Sequence, residues 1–153
     1  MAKVQYYYAQ RKKSESGQSG TVTYALPEKG VIPEIIVRAF STPTATKDGP
    51  TPLNDAITKI EIVDGATVIK SLTGNQAHAL EMIHTRHERA STEQNQDDIE
   101  GYDDFLLVLN QKINGVEYAP DFSKFSNPQI KISWGYSITT TGFGANVQAT
   151  TTP

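Results

Sequence analysis

Three histidines and a run of acids are the residues of this chain whose types and spacing could do chemistry. His78, His84 and His87 lie close together, with Glu81 and Glu88 between and beside them. Imidazoles three or four apart on a helix share a face, as a metal site or an acid–base pair needs. The order His84-Thr85-Arg86-His87-Glu88 is not the H-E-x-x-H of zinc proteases, and Arg86 puts a cation beside the would-be ligands. The H-x-H pair of metal-binding cupins is missing too. The plainer reading is a helix end where His and Arg complement the C-terminal dipole. No metal and no cofactor is expected.

The acids Asp97, Asp98, Glu100, Asp103 and Asp104 invite a calcium reading. An EF-hand loop needs glycine at its sixth position and glutamate at its twelfth. Setting Gly101 sixth puts Gln96 first and Leu107 twelfth, so that motif fails. An irregular Ca²⁺ site stays open beside the simpler one, a solvated loop. Nucleophilic catalysis has no footing: there is no G-x-S-x-G and no cysteine. Gly142-Phe143-Gly144-Ala145 is too short for a phosphate loop. Tyr6, Tyr7 and Tyr8 beside Arg11, Lys12 and Lys13 look like an aromatic-plus-basic nucleic-acid contact. They fit equally a strand whose rings lie on a neighbouring subunit or at a membrane interface. Nothing here reads as an enzyme.

The elements that must position these residues are mostly strands. The chain has 153 residues, the length of one domain that buries a real core without staples. No disulfide or thiolate site is possible without cysteine. Formal net charge is -3, but Lys3, Arg11, Lys12 and Lys13 stand at the start with no acid among the first thirteen residues. The rest keeps 10 basic residues against the chain's 17 acids, so a basic arm precedes an acidic body. No run approaches the ~18 apolar residues that span a membrane, and no apolar leader stands at the start. The expectation is an unmodified protein made in the cytoplasm.

Residues 4–9 form a short β-prone run, and 10–20 a polar linker. Residues 21–26 alternate and stop at Pro27. After Pro33, Ile35, Val37 and Ala39 share one face of a strand. Residues 41–54 are a proline-rich loop. Then Ile60 and Ile62 alternate up to Asp64-Gly65, the hairpin signal of a type I′ turn, and a second strand runs to Leu72. The period changes to helical after Thr73, with Ala77, Ala79, Leu80, Met82 and Ile83 as the apolar stripe of a helix near 75–88, capped by Thr73 or Asn75. Residues 89–104 read as an exposed loop. Phe105 to Ile113 begins apolar on both faces, as in a strand under two layers. Asn114-Gly115 is another turn signal. From Gln129, Ile130, Ile132, Trp134, Tyr136 and Ile138 alternate with polar residues, which makes Trp134 core and not a ligand platform. A last weak strand covers 144–150. The expected core is Ile60, Ile62, Leu80, Leu107, Ile132 and Trp134.

About eight short strands and one helix, with no βαβ rhythm, argue for an all-β antiparallel sandwich or barrel. Eight strands in two sheets is the jelly-roll count. The run of elements PEKGVIPEIIVRAF, AITKIEIVDGATVIKSLTGNQAHAL, FLLVLNQKI and IKISW resembles the major capsid proteins of tailless icosahedral bacteriophages with an internal membrane, over roughly residues 22–135. The resemblance implies a single eight-stranded jelly roll at 21–150 with one inserted helix, an arm at 1–20 and an extended tail at 151–153. It implies a coat protein of the virion, made in the host cytoplasm, whose copies self-assemble with other capsid subunits. Lys3, Tyr6, Tyr7, Tyr8, Arg11, Lys12 and Lys13 would face lipid headgroups or a neighbouring subunit, with no specific nucleic acid. Either the chain is a single-barrel coat protein or it is one half of a longer one. The alternative is a carbohydrate- or receptor-binding sandwich, for which Tyr102, Tyr118, Phe122 and Phe125 would supply the loop aromatics.

Overall fold

The computed structural model describes residues 5–15, 18–43, 53–85, 101–109, 118–135 and 140–152. The His87–Glu88 end of the expected helix, the acids Asp97, Asp98 and Glu100, the Asn114-Gly115 turn, and Tyr136 and Ile138 all lie outside them. Eight strands are present: β1 (Gln5–Glu15), β2 (Ser19–Ala25), β3 (Val31–Pro43), β4 (Ile57–Asp64), β5 (Thr67–Leu72), β6 (Gly101–Val108), β7 (Pro128–Gly135) and β8 (Thr140–Thr152). A four-residue helix, α1 (Leu53–Ala56), precedes β4, and α2 (Gly74–Thr85) follows β5.

The pairing is that of one long hairpin rolled up. Around the tight β4–β5 hairpin the chain pairs in mirror order: β3 with β6, β2 with β7, β1 with β8, all antiparallel. Rolling then slots β8 between β1 and β3 and β7 between β2 and β4. The result is two four-stranded sheets, β1-β8-β3-β6 and β2-β7-β4-β5. This is a jelly roll: a double sheet of eight antiparallel strands wound as two Greek keys.

Alternation explains why these segments are strands and which face each buries. β7 buries every second residue, so Ile130, Ile132 and Trp134 point inward while Lys131 and Ser133 look out. Ile35, Val37 and Ala39 of β3 do the same from the other sheet and are fully buried. Each such isoleucine contributes roughly 1.5–3 kcal/mol relative to an exposed one. Of the residues expected in the core, Ile60, Ile62, Leu107, Ile132 and Trp134 are buried. β6 is buried on both faces from Phe105 to Val108, the pattern of a strand under two layers. Close packing also fixes Gly20: a Cβ there would meet the Trp134 ring at 2.6 Å.

The structure corrects several boundaries. The polar stretch after Ala9 is not a linker: β1 continues to Glu15 and pairs with β8, so residues 5–15 belong to the roll. β8 likewise takes in Thr151 and Thr152. Residues 101–104 are strand and not exposed loop. Composition alone suggests a loop there, but Asp104 is taken up by Arg38 across the sheet and Asp103 by His78 of α2.

The β4–β5 turn also differs in detail. Asp64 is the last strand residue, paired with Thr67, and the two loop residues are Gly65 and Ala66. Gly65 has φ of 57° and Ala66 is not in the left-handed region, which fits type II′ and not type I′. Instead of shaping the turn, Asp64 reaches across to a neighbouring segment. Its Oδ1 accepts from the backbone N–H groups of Ser126 and Asn127 at 3.0 and 2.6 Å. The hairpin tip is thereby tied to the segment that leads into β7.

Helix α2 starts where its sequence says it should. Thr73 and Gln76 form a reciprocal capping box. The Gln76 N–H donates to Thr73 Oγ1 at 3.2 Å, and the Thr73 N–H donates to Gln76 Oε1 at 3.0 Å. The buried stripe, however, is Gly74, Ala77 and Glu81. Leu80, expected in the core, is only half-buried, and Met82 and Ile83 are exposed. Close approach decides this. The Gly74 backbone sits against the Asn54 carbonyl of α1, where any Cβ would collide, and that contact rotates the helix. Glu81 then faces β6, and its Oε2 lies 3.4 Å from the Leu106 N–H.

Candidate functional site

Among the described residues, those singled out for chemistry lie on separate elements and do not converge on one cleft. His78 is on α2, half-buried, with Nε2 3.1 Å from the buried Asp103 carboxylate of β6. Its ring also lies 5.0 Å from that of Phe105. Asp103 is in phase with the core residues Phe105 and Leu107, which carries it inward to meet the helix. The pair docks α2 on β6. His84 stands in the last turn of α2 and is half-buried.

Asp104 alternates to the outer face. There it takes both forks of Arg38, Nε to Oδ1 and Nη2 to Oδ2, each at 2.6 Å. Arg38 and Asp104 are direct cross-strand partners on β3 and β6. The guanidinium also stacks 4.8 Å from the Tyr102 ring centroid. The hydrogen bonds to Asp104 hold the Arg38 charge on, raising its pKa above the ordinary value against a smaller opposing effect of burial. Arg38 is 45% exposed, so the pair orders the surface more than it stabilises the fold. Asp103 and Asp104, two members of the suspected calcium run, are thus committed to protein partners.

The arm residues lie along β1, an edge strand of its sheet. Tyr7 and Tyr8 are 43% and 48% exposed. Arg11 is exposed and lies over the Tyr8 ring at 5.6 Å. The pairing of β1 with β8 breaks register between Tyr8 and Gln10 and again between Gln10 and Lys13, so this edge is kinked where its positive charge begins. Lys3 lies outside the described residues, as do the side chains of Tyr6, Lys12 and Lys13.

The loop aromatics do not build a sugar platform. Phe122 is fully buried and packs edge-on against the half-buried Phe125, with centroids 4.9 Å apart. Tyr102 is on a strand under Arg38. Tyr118 alone of the four is open, 78% exposed, with φ of 63°. The segment below it is set by Asp121, whose Oδ1 accepts from Ser123 N–H at 3.1 Å and Oγ at 2.6 Å. Those two bonds lower the Asp121 pKa.

Two further features were missed from the sequence. Lys70, on β5, turns its ammonium onto the Val108 carbonyl of β6 at 2.6 Å, and burial lowers its pKa. The side chains of Asn54, Asn75 and Asp55 form a chain of bonds at 2.6 and 2.7 Å that joins α1 to α2. The first had a signal, a lone Lys in an apolar edge strand. The second had none, since α1 itself was not expected.

No family model and no curated protein matches the sequence. Solved structures do match the fold. The chain is similar to the atomic structure of Sulfolobus turreted icosahedral virus, with TM-score 0.72 and 12% identity over 97% of this chain and 45% of that one. It is similar to the crystal structure of the major capsid protein of the same virus, with TM-score 0.67 and 11% identity over 97% and 48%. A quasi-atomic structure of the PBCV-1 virus capsid gives TM-score 0.63 and 9% identity over 100% and 43%. The chain therefore shares its whole fold with chains of viral shells and spans less than half the length of each. At such identities the likeness is one of fold.

Proposed function

We propose that this chain is a coat-protein subunit, a structural protein that self-assembles with further copies or other capsid subunits into an icosahedral virion. The observation that carries the reading is the match of essentially the entire chain, in one jelly roll, to the structures of two viral shells. The described side chains agree with a structural role. Asp103, Asp104 and His78 each serve a contact between elements. The finer reading, a shell of a bacteriophage with an internal membrane, rests on the sequence resemblance, as do the virion location and synthesis in the host cytoplasm. Within that reading the basic residues of β1 face anionic lipid headgroups or an adjoining subunit, and Tyr7 and Tyr8 supply the aromatic contact.

Negative-stain imaging of the purified chain at rising concentration tests the coat reading, alone and with co-expressed partners from the same genome. Symmetric capsomers or shells are expected. A monomer that binds an immobilised glycan array and never assembles would favour the carbohydrate-binding sandwich instead.

A further inference from the structure

Among the described residues the roll has four sheet edges, and three of them are protected against pairing with another chain. β1 breaks register twice against β8 and holds Arg11, Lys12 and Lys13. β6 is covered by α2 through the His78–Asp103 pair and the Glu81–Leu106 contact. In β5, Ile62 pairs with Lys70 and Val63 with Val68, so Ile69 is a bulge, and Lys70 stands beside it. Bulges, lysines and covering helices are the devices by which proteins prevent edge-to-edge association.

β2 has none of them. Its seven residues, Ser19–Ala25, pair with β7 one to one without a break. It holds no charge, no proline and no bulge. Ser19, Thr21, Thr23 and Ala25 are exposed on its outer face. Among the described residues β2 pairs with β7 alone. A regular edge strand with a free row of backbone donors and acceptors is a template for strand addition.

We propose that β2 pairs antiparallel with β2 of a second copy about a twofold axis, joining two four-stranded sheets into one of eight. Charge selects the occupant. Twofold pairing sets a strand against itself, so every charge meets its like, and β2 carries none to repel. β1 would oppose its own basic run. Full overlap centres the axis on Val22. Thr21 then faces the partner's Thr23 and Ser19 faces the partner's Ala25, with the Thr21 hydroxyl bonded at 2.8 Å to Ser133 of its own sheet. The axis runs perpendicular to the joined sheet, so the two β1 strands lie over the same face of it, across the axis from each other, and the dimer tightens as salt screens their positive charge. This pairing does not depend on the coat-protein reading.

Sedimentation equilibrium of the full chain at low and high salt tests it, with two variants. Thr21→Lys with Thr23→Lys places like charges opposite each other across the seam, and a Kd raised at least tenfold is expected. Thr21→Lys with Thr23→Glu places opposite charges there, and dimerisation is expected to return to within a few-fold of the native chain. Thr21 and Thr23 are exposed but stand opposite Ser133 and Lys131 of β7, so a thermal melt of each variant separates damage to the fold from loss of the seam. A native chain that stays monomeric at all salts overturns the proposal, and so does association that ignores the Lys/Lys change. Neither result bears on whether shells form with other subunits, which imaging decides separately.

Discussion

Tyr24 shows what a single side chain costs here. It sits on the inner face of β2, 7% exposed, and its hydroxyl is the one buried side-chain polar atom among the described residues with no hydrogen-bond partner. Burial, and then the negative charge of Glu15, push its pKa from 10.0 up to about 12. The unfolded chain releases this proton first. Stability therefore falls as pH rises from the unfolded toward the folded value, by roughly 2–3 kcal/mol in total, and is flat below that window. Tyr24→Phe is expected to remove this slope in chemical denaturation followed from pH 9 to 12. At pH 7 it is expected to stabilise the protein by up to about 1 kcal/mol, because it deletes an unsatisfied polar group. None of this was legible in TVTYAL, where alternation shows that Tyr24 points inward but not what its hydroxyl will find. Asp103 was legible in principle: in GYDDFLLV it keeps step with Phe105 and Leu107. A count of acids hid it.

At the scale of elements, strand positions followed from alternation and helix α2 from its cap. Both are local, so sequence carries them. What failed was the choice of buried face on α2, because that is set by α1, an element not foreseen. Gly74→Ala forces the two helices apart at the Asn54 carbonyl and is expected to cost about 1–3 kcal/mol, read as a lower thermal midpoint. Thr73→Ala removes half of the capping box and is expected to cost about 1 kcal/mol while leaving the α1–α2 contact in place. If Gly74→Ala is as stable as the native chain, the tight approach of α1 to α2 is wrong. The limits of β1 were missed for a related reason. QRKKSE has no apolar alternation, and only its pairing with β8 makes it a strand.

For the whole molecule, the inclusion of β1 in the sheet changes how the basic residues can be probed. Deleting residues 1–13 would strip most of a strand from the roll and is expected to unfold it. Arg11→Gln, Lys12→Gln and Lys13→Gln together should keep the strand and remove the charge. That triple variant is expected to assemble into particles yet to bind vesicles rich in anionic lipid at least tenfold more weakly at low salt. Unchanged vesicle binding would sink the lipid part of the reading and leave the shell untouched. The two-sheet class was legible from strand count and loop chemistry, whereas strand order was not, because periodicity is silent about which distant segments meet.

The mirror-order pairing also bears on how the protein is made. Gln5 pairs with Thr151, and β8 fills the place between β1 and β3. Until residues 140–152 leave the ribosome, that sheet has a gap at its middle, and β1 has no neighbour to hold it. The nascent chain can close its central β4–β5 hairpin early, but the outer turns of the roll must wait for β8. The contacts that complete it span nearly the whole sequence, which slows folding and prolongs the exposure of unpaired strands. A cell making many copies at once would keep a standing pool of half-rolled chains, each with open strands that a neighbour's could fill.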